Sequence, residues 1–167
     1  MEQSNKTQYL IGRIVFVAYI VTVFVIIGAI EYVSGSGVLD GKLGPMFDAQ
    51  TLSVIHYIFL GISAALIVLA FGLKRAISTM VPGMFLSLAK WIAKNAHRQW
   101  GTAYGLLLTI GAMCEAIAIL GVLLFFFSGG EKVNAYQLIA PALLMLGILF
   151  TRGNDGENLE KIDNEVQ

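Results

Sequence analysis

One carboxyl group stands out for chemistry. Glu115 sits inside an apolar stretch, with uncharged residues from 101 to 114 on one side and from 116 to 130 on the other. An ionised carboxylate at mid-bilayer costs about 3 kcal/mol or more. No Lys or Arg falls inside an apolar stretch at that depth. The expected state is therefore a neutral acid, or a carboxylate that holds a bound cation. Such a group loads and releases a proton. The competing expectation is an acid bonded across helices as structural glue. Nothing else in the chain offers comparable chemistry. His56 and His97 fall near opposite ends of the apolar segments and cannot share a metal. Cys114 is the single cysteine, so it forms no internal disulfide, and it points about 100° away from Glu115 on a helix. No metal-ligand, nucleophile–base or phosphate-loop spacing is present. In-membrane His pairs, which a haem would want, are absent as well. No enzyme, cofactor or metal site is expected.

The helix that carries Glu115 is informative. At about 100° per residue, Gly101, Tyr104, Leu108, Gly111, Glu115 and Ala118 share one stripe. Gly105, Ala112, Ala116 and Ile119 form the next. The Gly101/Gly105 and Ala112/Ala116 spacings let another helix backbone approach closely. Glu115 is thus expected beside a helix–helix contact, with Gly111, Ala112 and Ala118 around it. Gly101, Gly105 and Ala116 are the packing candidates. Pro141 cannot donate a backbone hydrogen bond and leaves the Gln137 carbonyl unused. That carbonyl, or the Gln137 side chain, is a candidate partner for the acid, although Gln137 lies nearer the outer surface. The hydroxyls of Thr22, Ser63 and Thr109 are expected to bond back to their own helices.

Composition defines the elements that must position this group. Of 167 residues, 57% are hydrophobic and 13% charged, with a mean hydropathy of +0.76. Residues 14–30, 49–73 and 133–151 carry no charge, and 99–130 carry only Glu115. This excludes a soluble globular domain, a disordered chain and a disulfide-stapled secreted domain. A bilayer core of about 30 Å needs around 20 apolar residues in helical form. The runs are continuous rather than alternating, so helices are expected and not a barrel. The expectation is one all-α domain of four transmembrane helices, at about 13–32, 52–73, 101–127 and 133–151. The first run is too long for a signal h-region and no small-residue cleavage site closes it, so it reads as a retained span.

Basic residues set the orientation. With the N-terminus inside, nine of the eleven Lys and Arg are cytoplasmic, and only Lys42 and Lys132 are outside. Both termini are expected in the cytoplasm, which for a bacterial chain means the inner (plasma) membrane. The basic and acidic residues cancel, so nucleic acid is not an expected partner. Between the second and third spans, 84–99 reads as an amphipathic cytoplasmic helix after Val81-Pro82-Gly83. Its apolar side is Phe85, Leu88, Ala89, Ile92 and Ala96. Its basic side is Lys90, Lys94, His97 and Arg98, suited to the inner membrane surface or to a soluble partner. A rival expectation runs this segment straight into the third span as one long helix. The acidic tail, 153–167, is expected to be solvated.

The run Met113-Cys114-Glu115-Ala116-Ile117-Ala118-Ile119-Leu120-Gly121 resembles the carboxylate helix of proteolipid ring subunits of rotary ATPases. The likeness covers the third span. The first two spans lack the dense glycine ladder of those subunits, and a fourth span follows the acid. The chain also resembles small bacterial four-span membrane proteins through Glu115, Ala118, Gly121 and Ser128-Gly129, a likeness that implies no activity. The first resemblance implies a homo-oligomer whose Glu115 carries an ion, with a further subunit as partner. Sodium-type proteolipids place Ser or Thr next to the acid and a Gln across from it. Neither occurs here at that depth, so H⁺ rather than Na⁺ is the expected ion.

Overall fold

The computed structural model describes residues 2–36, 44–97 and 102–151, together with 158, 161, 162 and 164. The order is α1 (Glu2–Gly35), α2 (Ala49–Thr79), α3 (Met84–His97), α4 (Thr102–Phe127) and α5 (Lys132–Thr151), with no strand among the described residues. Three stretches are long and apolar enough to cross a membrane: Val17–Gly35, Ala49–Thr79 and Leu108–Phe127. The apolar part of α5, Lys132–Ile148, is shorter. Large apolar side chains such as Phe24, Val25, Ile58, Val68 and Leu144 are more than half exposed on the outside of the bundle. That surface is compatible with a membrane-embedded protein, because water would not tolerate so continuous an apolar face.

Local chemistry explains the boundaries. Asp48 caps α2, accepting from the backbone amides of Gln50 at 3.1 Å and Thr51 at 2.9 Å. The Thr51 hydroxyl donates to the same carboxylate at 2.7 Å. These bonds, with Thr51 foremost, hold the Asp48 carboxyl below its ordinary value of 3.8. At the other end Met80 takes the left-handed conformation (φ 51°) and its amide bonds the Ala76 carbonyl. Pro82 then prevents the helix from continuing. Between α4 and α5, Gly129 and Gly130 adopt φ of 77° and 96°, where a side chain would be strained. Their amides satisfy the Phe126 and Phe125 carbonyls and close a tight antiparallel hairpin.

Glycines mark where the helices meet. A Cβ on Gly121 of α4 would come within 2.8 Å of Ile139 and 2.9 Å of the Ala135 carbonyl, both on α5. Gly111, also on α4, faces the ring of Tyr19 on α1. Gly72 of α2 faces the ring of Phe85 on α3. The α4–α5 hairpin is central: α1 packs on one flank of it, while α2 and α3 pack elsewhere. Among the described residues α1 and α2, neighbours in sequence, share no substantial contact.

Two expectations change. Leu86, Ala89 and Ala93 of α3 are buried against α2 and α4. The chain itself therefore takes part of the face expected to lie on the membrane surface. Because α3 packs against α4, the two do not form one straight helix. The tail is not wholly solvated either. Asn158 donates to the Ser78 carbonyl at 2.9 Å, and Ile162 is fully buried. An aliphatic side chain gains by leaving water even within an acidic segment.

Candidate functional site

Glu115 is half-buried on α4. Gly111 and Ala118, one turn to either side, are buried; Ala112 is exposed and Ala116 half-buried. Toward α1 and α5 the face of α4 is closed. The strip through Ala112 and Ile119 is open, and Glu115 stands on the boundary between the two. Among the described residues no hydrogen-bond or ion-pair partner reaches its carboxyl group.

Helix register gives the depth of each neighbour. α1 and α4 run in the same direction, since Tyr19 meets Gly111 and Glu31 meets the start of α5 just beyond the end of α4. Val23, fully buried, is therefore level with Glu115. On α5 the contact of Gly121 with Ala135 and Ile139 puts Leu143 at that depth. Gln137 lies six residues away, about 9 Å along the axis, and its side chain is exposed. The fold keeps Gln137 and Glu115 at different levels, and Pro141, half-buried, falls between them. Gly105 is buried. Gly101 and Arg98 lie outside the described residues, and His97 ends α3. Lys94 is exposed and Lys90 half-buried.

Two of the three expected back-bonds are present: Thr22 to the Ala18 carbonyl at 2.9 Å and Thr109 to the Gly105 carbonyl at 2.8 Å. Ser63 departs from this. It is 3% exposed, and among the described residues its hydroxyl has no partner. The Nε2 of His56 is likewise buried without one among the described residues. Seven residues separate the two, so they share a face of α2. α2 packs against α4 and α5, and among the described residues no hydrogen bond joins this pair to Glu115.

Glu31 directly follows the first charge-free run. The structure makes it a tie between α1 and α5. Lys132 donates to it at 2.6 Å and the Tyr136 hydroxyl donates to its other oxygen. A signal was present: Lys132 and Tyr136 are four apart, so they share a helix face, and Glu31 ends the first apolar run. Among the described residues no cluster of His, Cys, Asp and Glu has the makings of a metal site.

The fold defines a class, an all-helical protein with three helices long enough for a bilayer. Comparison with family models, with curated proteins and with solved structures gives no match.

Proposed function

We propose that this chain is a four-span subunit of a homo-oligomer in a bacterial inner membrane, with both termini cytoplasmic. In this reading Glu115 loads and releases a proton, as part of a ring, a channel or a small transporter. The observation that carries it is a carboxyl group within an apolar helix, half-buried and without a partner among the described residues. It borders an open strip that starts at a small residue, Ala112. An acid acting as glue inside one chain would have a partner inside that chain. The 20 residues of α5 span about 30 Å, which supports a fourth crossing. The basic-residue bias supports the orientation.

The test is substitution at Glu115 in reconstituted vesicles, with proton flux read by an entrapped pH dye. Glu115→Gln keeps shape and hydrogen bonding but cannot titrate. It should leave assembly intact and abolish flux. If Glu115 is glue between copies, Glu115→Gln changes little and Glu115→Leu weakens assembly by about 0.6–2 kcal/mol. Full flux through an assembled Glu115→Gln protein would overturn the proton-handling reading.

A further inference from the structure

α3 carries a second apolar strip that the chain leaves partly uncovered. Its inner face is spent on α2 and α4. Met84, Leu88 and Trp91 follow one another at four- and three-residue spacing on another face, with Leu88 half-buried against the core. Met84 is 73% exposed and Trp91 64% exposed, and Val81, just before the helix, is 62% exposed. Lys94, three residues beyond Trp91, is exposed too.

The depth of this strip follows from one contact. The charge-free run of α2 ends at Leu73, and Lys74 and Arg75 are the first charges after it. Those residues mark where α2 leaves hydrocarbon. The ring of Phe85 packs against Gly72, so the first turn of α3 lies at the same depth. Arg75, nearly one turn past Gly72, is exposed. An indole at this level keeps its ring in an apolar setting and its N–H wet.

We infer that α3 is an interfacial helix that binds anionic lipid. Val81, Met84, Leu88 and Trp91 enter the leaflet, and Lys94 and Arg75 hold lipid phosphates. Two observations favour lipid over a protein partner. The exposed side chains of α2 just above, Val68 and Phe71, continue the apolar surface upward. Four apolar side chains also fall well short of the roughly 800 Å² per side that a stable protein contact buries. The inference rests on α2 crossing the bilayer and not on any role of Glu115.

Trp91 supplies the readout. Trp91 and Trp100 are the two tryptophans, so Trp100→Phe leaves a single indole. The full-length variant is reconstituted into mixed phosphatidylcholine–phosphatidylglycerol vesicles, with one lipid or the other brominated near the top of its acyl chains. Both lipids should quench Trp91, and brominated phosphatidylglycerol should quench it more strongly. Each basic residue near the surface is worth roughly fivefold in preference for anionic lipid. Adding Arg75→Gln and Lys94→Gln should sharply reduce the preference for phosphatidylglycerol, with helical content checked by circular dichroism. If those substitutions prevent folding, salt decides: at about 1 M the screening length falls to roughly 3 Å, and the difference should vanish. Equal quenching by both lipids at low salt overturns the inference. So does an unquenched indole, whether it faces water or cross-links to another copy. Adding Glu115→Gln should leave the lipid result unchanged, so the proton-handling reading can fail separately.

Discussion

The two flanks of α4 are built differently. Against α5 the surface is dry and complete. Ala135, Leu138, Ile139, Ala142, Met145 and Leu146 are each at most 1% exposed, and Gly121 brings the two backbones together. Against α1 the contact is narrower. Of the described α1 side chains only Val23 and Ile30 are buried, and Phe24, Val25 and Tyr32 are more than half exposed. One flank is held by close packing along a hairpin. The other is held by a ring on a glycine and two aliphatic side chains, with an ion pair from α1 to α5 at one end. The acid borders the looser flank. A titrating group needs access to something that moves, and a dry, close-packed seam gives little.

That contrast can be broken by bulk. Gly121→Val should be the most damaging change, because the added atoms meet an α5 carbonyl as well as Ile139. A loss of about 1–3 kcal/mol is expected for overpacking of this kind, read as a lower melting temperature in mild detergent. Gly111→Ala should cost less, since the added atom meets a side chain, Tyr19, and no backbone atom. A larger loss at Gly111 than at Gly121 would reverse the ranking of the two flanks.

A smaller effect is expected from charge. Lys132→Gln removes the ion pair to Glu31 and leaves the hairpin untouched. Protease access or hydrogen exchange should rise in the C-terminal half of α1 while α4 and α5 stay protected. The difference from the unaltered protein should shrink as salt is added. Equal loosening of α5 would show that the tie serves the hairpin as well.

The smallest effect concerns pH at the start of α2. The Asp48 carboxyl is held below its ordinary 3.8. A group with a lowered folded value contributes stability that is complete above the ordinary value and is lost as pH falls through the folded one. Acid should therefore fray the first turn of α2 below about pH 4. Asp48→Asn, still a good cap, should remove that dependence. Hydrogen exchange at Thr51 reads the outcome, and unchanged acid fraying in Asp48→Asn would assign it to another group.

Much of this was legible in the residues. α2 follows from its charge-free run, its Asp cap and the proline after it. The α4–α5 hairpin follows from two apolar runs around Ser-Gly-Gly. Glu115 is conspicuous because charge and hydropathy conflict at one position. The small-residue spacings pointed to Gly101 and Gly105. Gly101 lies outside the described residues, and among the glycines whose surroundings are described the closest approaches fall at Gly72, Gly111 and Gly121. A glycine is only an opportunity for contact, and which one is used depends on where the partner helix lies.

Sequence by itself determined the helical class, the apolar lengths and the presence of one acid within them, because these depend on local propensity and on the cost of taking charge out of water. It also determined where the turns fall, since glycine and proline act on the backbone residue by residue. Tertiary structure alone decided that α1 and α2 lie apart. It decided that Glu31 finds Lys132 and Tyr136 across the bundle, and that Gln137 stays about 9 Å from the depth of Glu115. It also decided which stripe of α3 is buried and which is left to face outward. Each of these is a matter of relative position between helices. That is set by the summed packing of many similar apolar side chains, and no single residue announces it.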